Sequence, residues 1–289
     1  MIFAGCYTAM VTPFVNGEVD YAAMEQLIEM QVAGNVAGLL PVGTTGESPS
    51  LGYKDHMKVI EFVVKQVAGR CQVIAGTGAN STDEAVMLTK QAKDLGADAS
   101  LQVTPYYNKP SQEGLYRHFL TVAEEVDLPV VLYNVPGRSG VPISIETVKR
   151  LSAHKNIQAI KEAAGSVDRV SQVLNACDIT VLSGDDALTV PMMSVGATGV
   201  ISVASNLIPA EMSELCDLAN AGKFAEALAI HRKYYDFFND EFIETNPIPI
   251  KAAMAMKGLL KEEYRLPMCE IGDANREVLK ATMQRCGIL

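Results

Sequence analysis

The chain has 289 residues, 48% of them hydrophobic and 20% charged, with a formal net charge of −10. Such a length bounds the protein at one large domain plus an appendage. The acidic balance argues against a nucleic-acid partner, which needs a basic surface.

From its start, the segment Met1-Ile2-Phe3-Ala4-Gly5 brings no basic region ahead of its apolar residues, so it does not read as a signal peptide. No run approaches the ~18 apolar residues of a membrane span. Six cysteines (Cys6, Cys71, Cys177, Cys216, Cys269 and Cys286) lie scattered without a C-x-x-C pair. That spacing fits reduced thiols better than a disulfide frame or a zinc site. The expectation is a cytoplasmic protein with no membrane partner.

Short apolar runs at 5–11, 38–42, 72–76, 100–104, 129–134, 158–161, 180–183 and 199–203 read as strands. Amphipathic stretches between them, such as 22–33, 54–68, 83–95, 114–126, 145–151 and 210–219, read as helices. Ser81 to Glu84 supply cap hydroxyls and carboxylates for one helix start, and Gly34, Gly69, Gly96 and Gly222 mark helix ends. Eight strand–helix units of this kind predict a closed (β/α)₈ barrel. An open doubly wound sheet is the alternative, but it usually carries a G-x-G-x-x-G turn where this chain has Val11-Thr12-Pro13-Phe14.

The alternation stops after Gly222. Residues 224–243 read helical, Pro247 and Pro249 break the pattern, 250–260 resumes it and 274–285 closes the chain. No linker composition separates these parts. The expected organisation is a catalytic barrel over 1–222 and a small helical domain over 223–289.

In such a barrel the active site lies at the C-terminal ends of the strands. Those ends hold one lysine, Lys161, with an arginine, several hydroxyls and no histidine. His56, His118, His154 and His231 all fall in helices or at their ends, so a histidine-rich metal site is not expected. Asp185 and Asp186 alone make a thin magnesium site, and no Ser–His–Asp set is supported. The nucleophile that remains is Lys161, since burial favours a neutral amine and an amine attacks carbonyls to form Schiff bases. A lysine that merely reaches to water stays open as the alternative.

The glycine-flanked turn Gly43-Thr44-Thr45-Gly46-Glu47 can converge backbone N–H groups on a small anion, and it lacks the G-K-[ST] continuation of a nucleotide loop. Tyr133 ends the strand before the lysine strand, where a phenol suits proton relay. Arg138 follows a Pro-Gly turn, where a guanidinium suits a second carboxylate.

In this order, Gly43-Thr44-Thr45-Gly46-Glu47, Tyr133-Asn134-Val135-Pro136-Gly137-Arg138 and Ile160-Lys161-Glu162 resemble the pyruvate-dependent Schiff-base lyases of the N-acetylneuraminate lyase superfamily. The resemblance covers the whole chain, including Asn246-Pro247-Ile248-Pro249-Ile250-Lys251. Tyr106-Tyr107-Asn108-Lys109-Pro110 and Arg138 favour the branch that condenses pyruvate with L-aspartate 4-semialdehyde on the diaminopimelate route to lysine.

It implies Lys161 as the imine-forming residue and Tyr133, Thr44 and Tyr107 as a hydroxyl relay, with Tyr107 reaching in from a neighbouring subunit. It implies Thr45 at the pyruvate carboxylate, Gly184 and Ile201 lining the pyruvate pocket, and Arg138 at the semialdehyde carboxylate. No cofactor or metal is implied. A homotetramer built as a dimer of dimers is.

Ser48, Pro49, Tyr53, His56, Asn80, Glu84 and Tyr106 match an inhibitory lysine site, departing from the familiar pattern at Pro49 (commonly alanine) and Tyr53 (commonly histidine). Two rivals stand beside this reading. One is a sister aldolase acting on sugar-derived 2-oxo acids, and the other a catalytically silent protein on the same scaffold.

Overall fold

The computed structural model describes residues 3–289; Met1 and Ile2, on which part of the signal-peptide reading rests, lie outside the described residues. Eight strands form a closed barrel: β1 (Gly5–Ala9), β2 (Gly38–Leu40), β3 (Gln72–Gly76), β4 (Ala99–Val103), β5 (Val130–Asn134), β6 (Ile157–Glu162), β7 (Thr180–Ser183) and β8 (Gly199–Ser202). Each pairs in parallel with the next, and β8 pairs with β1. The predicted barrel is therefore observed.

Around it run α1 (Tyr21–Ala33), α2 (Tyr53–Val67), α3 (Thr82–Asp94), α4 (Gln112–Glu125), α5 (Pro136–Ser139), α6 (Ile145–Ser152), α7 (Val167–Ala176), α8 (Thr189–Ser194) and α9 (Pro209–Asn220). Three helices follow: α10 (Phe224–Asp240), α11 (Ile248–Met256) and α12 (Asp273–Arg285). Among the described residues, no helix is long and apolar enough to cross a membrane.

Parallel strands covered on both faces read as continuous apolar runs, and all five residues of β5 are buried. Their side chains still alternate. Tyr7, Leu40, Leu101, Val131, Tyr133, Ala159 and Ile201 fill the barrel interior, while Leu39, Val73, Leu132, Ile160 and Val200 pack outward beneath the helices. Position 161 continues the inward row from Ala159. That alternation aims Lys161 into the barrel.

Three local expectations are corrected. Ser81 occupies the N-cap of α3, yet its side chain makes no cap bond; Thr82 Oγ1 bonds His118 Nδ1 at 2.9 Å instead. Pro249 does not break the pattern, because it sits in the first turn of α11, where a missing N–H costs nothing. The turn region after β1 also contains an antiparallel hairpin, Phe14–Val15 with Glu18–Val19. Asn16 (φ 52°) and Gly17 (φ 83°) give it the two left-handed turn residues that a two-residue hairpin favours.

Candidate active site

The β5–β6 register sets Tyr133 opposite Lys161. Lys161 is only 6% exposed, and its Nζ lies 4.5 Å from the centroid of the Tyr133 ring. A lysine amine and a phenol thus share one point at the barrel mouth. Gly184, at the end of β7, leaves them room: a Cβ there would stand 2.6 Å from Ala163 Cβ and 3.1 Å from Lys161 Cε.

Tyr133 also lines a cavity of about 220 Å³, together with Thr44, Ser48, Pro49, Tyr106 and Arg138 among others. Its size suits a small carbonyl compound rather than a nucleotide. Ile201 is fully buried in the interior layer with Tyr133.

The glycine-flanked turn is held under strain. Val42 and Glu47 both adopt φ 56°, a conformation that non-glycine residues, and β-branched ones above all, rarely take. The C-terminal segment holds it there. Lys251, fully buried, pairs with Glu47 at 2.6 Å, donates to the Glu263 carbonyl at 2.6 Å and lies 4.5 Å from the centroid of the Phe14 ring.

Burial pushes the Lys251 ammonium below its ordinary pKa, and the Glu47 carboxylate opposes that shift. Asn246 Nδ2 donates to Thr45 Oγ1 at 3.0 Å, and the Asn246 carbonyl accepts from Arg138 Nη2 at 3.3 Å. One tail residue therefore touches both expected carboxylate-binding groups.

Tyr107 stands apart. It is 92% exposed at φ 71° and does not line the cavity of its own chain. The expected relay of Tyr133, Thr44 and Tyr107 is not assembled within one chain.

Of the expected lysine-site residues, Ser48, Pro49 and Tyr106 line the cavity, and Asn80 Nδ2 donates to the Tyr106 carbonyl at 3.3 Å. Burial raises the Tyr106 phenol pKa, and the charge of Glu84 adds to the effect. His56 is buried, bonds the Gly76 carbonyl through Nε2 at 2.7 Å and has its pKa lowered by burial. Tyr53, at the start of α2, is exposed.

Sequence reading paired Asp185 with Asp186, and the structure separates their surroundings. Burial raises the Asp185 carboxyl pKa while Lys161 opposes it. Asp186 Oδ2 accepts from the N–H groups of Val203 and Ala204 instead. Reading strand ends alone missed the Lys251–Glu47 pair. The signal was a lysine inside the apolar run Ile250-Lys251-Ala252-Ala253-Met254, since a charge on a buried face demands a partner.

A (β/α)₈ barrel with a buried amine beside a phenol, opening on a small cavity with an arginine at its wall, defines a barrel enzyme for carbonyl substrates. Comparisons with known proteins narrow the class. Residues 2–286 match the Dihydrodipicolinate synthetase family.

The chain is 53% identical over 285 residues to the 4-hydroxy-tetrahydrodipicolinate synthase of Geotalea daltonii, covering 98% of each chain. It is 50% identical over 290 residues to that of Hydrogenobaculum sp., covering all of both. The structure of the synthase from Methylacidiphilum fumariolicum superposes with a TM-score of 0.98 at 50% identity, over 99% of this chain and 96% of that one.

Two further similar structures hold ligands. The dihydrodipicolinate synthase of Acinetobacter baumannii is complexed with pyruvate (44% identity, TM-score 0.97, 99% of each chain). That of Cyanidioschyzon merolae has lysine bound (41% identity, TM-score 0.96, 99% of each chain). The chain belongs to the dihydrodipicolinate synthetase family, and it is a lyase.

Proposed function

We propose that the protein condenses pyruvate with L-aspartate 4-semialdehyde through an imine on Lys161, giving 4-hydroxy-tetrahydrodipicolinate on the diaminopimelate route to lysine. The observation that carries this reading is Lys161 set against Tyr133, which shares the lining of one small cavity with Arg138. The pyruvate held by the Acinetobacter relative supports the first substrate.

The Lys161 amine adds to the ketone carbon of pyruvate, and the carbonyl oxygen, once protonated, leaves as water. Loss of a methyl proton turns the imine into an enamine. Its carbon attacks the semialdehyde's aldehyde carbon, and the new alkoxide takes a proton. The semialdehyde amine then adds to the imine carbon, closing the ring and releasing Lys161.

Tyr133 moves these protons with Thr44 and with Tyr107 supplied by a second subunit. Thr45 holds the pyruvate carboxylate, Gly184 and Ile201 shape its pocket, and Arg138 takes the semialdehyde carboxylate as a planar fork.

In this reading residues 1–222 form the catalytic barrel and 223–289 a helical domain that braces its mouth. The protein works in the cytoplasm as a homotetramer, and lysine binding at Ser48, Pro49, Tyr53, His56, Asn80, Glu84 and Tyr106 inhibits it. The lysine-bound relative supports the last point.

Substrate choice is tested by comparing turnover of pyruvate plus semialdehyde with release of pyruvate from N-acetylneuraminate. Turnover of the first pair alone is expected. Pyruvate release from the sugar acid without semialdehyde turnover would favour the sister aldolase.

A further inference from the structure

Behind Tyr133 and Lys161, on the outer face of the same two strands, four residues close a hydrogen-bonded ring. Asn134 and Glu162 stand opposed in the register one step beyond Tyr133 and Lys161. Asn134 Nδ2 donates to Glu162 Oε1 at 2.7 Å, and Arg169 Nε, from α7, donates to Glu162 Oε2 at 2.8 Å. Arg169 Nη2 donates to the Ile143 carbonyl. The Ile143 N–H in turn donates to Asn134 Oδ1 at 3.0 Å, which completes the circuit. Asn134 and Glu162 are both fully buried.

The placement of this ring is informative. Other outward positions of these strands, Val130, Leu132 and Ile160, are apolar and pack under the helices. In the row beside Lys161 and Tyr133, two fully buried polar side chains, Asn134 and Glu162, face each other across the outer layer. A buried ion pair is weak evidence for stability, because apolar replacements of similar volume are often neutral or better. What a ring of directed bonds adds is a fixed alignment.

The β5–β6 ladder needs one, because its register shifts between Val130 and Val131 lower in the same pair. A one-residue slip would turn each inward side chain outward. The ring holds the row where Lys161 meets Tyr133.

We propose that Glu162 and Arg169 are positioning residues that pin this register and so hold the Lys161 amine and the Tyr133 phenol together. The assignment rests on the reading of Lys161 as the imine-forming residue. Two variants separate alignment from charge. Glu162→Gln keeps shape and loses the charge. Arg169→Lys keeps the charge, but one ammonium lacks the fork that reaches both Glu162 and the Ile143 carbonyl. The Arg169 side chain is 15% exposed, so a lysine there can reach water and the variant is expected to fold even if Glu162→Gln does not.

The experiment follows imine formation over time at saturating and limiting pyruvate, quenching with borohydride and reading intact mass, with near-ultraviolet circular dichroism to confirm folding. Both variants are expected to slow imine formation at saturating pyruvate about 10- to 100-fold, since misplacing reacting groups by about an ångström has effects of this size. The half-saturating pyruvate concentration should change less than about 2-fold, because carboxylate binding is untouched. Wild-type kinetics in folded Arg169→Lys would overturn the proposal, leaving Arg169 as charge compensation only. A wild-type protein that traps no adduct at all would overturn the Lys161 reading, and this assignment with it, before any variant is compared.

Discussion

At Lys161 the question is which neighbour handles protons, and Tyr133 stands close in the same chain, with its ring centroid 4.5 Å from the amine. Replacing Tyr133 with Phe keeps the ring and removes the hydroxyl. Steady-state assays should show kcat falling ~10²- to 10⁴-fold, the usual range for losing a proton-transfer group, with KM for pyruvate little changed.

The cysteines divide by burial. Burial pushes the Cys6 and Cys216 thiols far up and Cys71 to about 11, whereas Cys269 is exposed. Alkylation at neutral pH followed by peptide mapping should label Cys269 first and leave Cys6 and Cys216 unlabelled in the folded protein.

His118 gives a pH dependence with a definite sign. Burial lowers its pKa from 6.5 to about 4, so between those values the unfolded chain binds a proton that the folded one refuses. The stability it contributes is present above pH 6.5 and falls by up to ~3 kcal/mol as pH drops towards 4. Denaturant unfolding of wild type and His118→Gln across that range should show a smaller loss for the variant.

Among the elements, the barrel strands were the most legible. Buried parallel strands are uninterrupted apolar runs bounded by turn residues, and the 72–76 and 180–183 runs coincide with β3 and β7. The hairpin after β1 was passed over because each of its strands is two residues long, although Asn16-Gly17 announced it. Lys161, Tyr133 and Arg138 could be found because strand ends are where a barrel keeps its chemistry.

Lys251 and Asn246 could not be found that way. Their roles come from a chain segment some two hundred residues away folding back on the 43–47 turn. That contact supports a prediction at this scale. Lys251→Met fills similar volume but leaves Glu47 buried without its partner, at a cost of about 3–5 kcal/mol in denaturant unfolding. Adding Glu47→Gln should recover part of the loss, and additive losses would mean the two residues do not act as a pair.

For the whole molecule, the exposure of Tyr107 makes the proposed second chain testable. This tyrosine is 92% exposed in a left-handed conformation and does not line the cavity of its own chain. If Tyr107 completes a neighbour's relay, inactive Lys161→Ala and Tyr107→Ala proteins should regain activity when mixed subunits reassociate. No recovery in confirmed mixed oligomers would rule out the shared site. Lysine should bind the intact protein in isothermal titration, and no heat at millimolar lysine would remove the inhibitory site.

The central claim is that Lys161 is the imine-forming residue, and one measurement addresses it directly: intact-mass spectrometry after incubation with pyruvate and borohydride, with peptide mapping. The expected result is one reduced pyruvate adduct per chain, mapped to Lys161 and absent from Lys161→Ala. An unmodified wild-type chain, or an adduct that persists in Lys161→Ala, would contradict it.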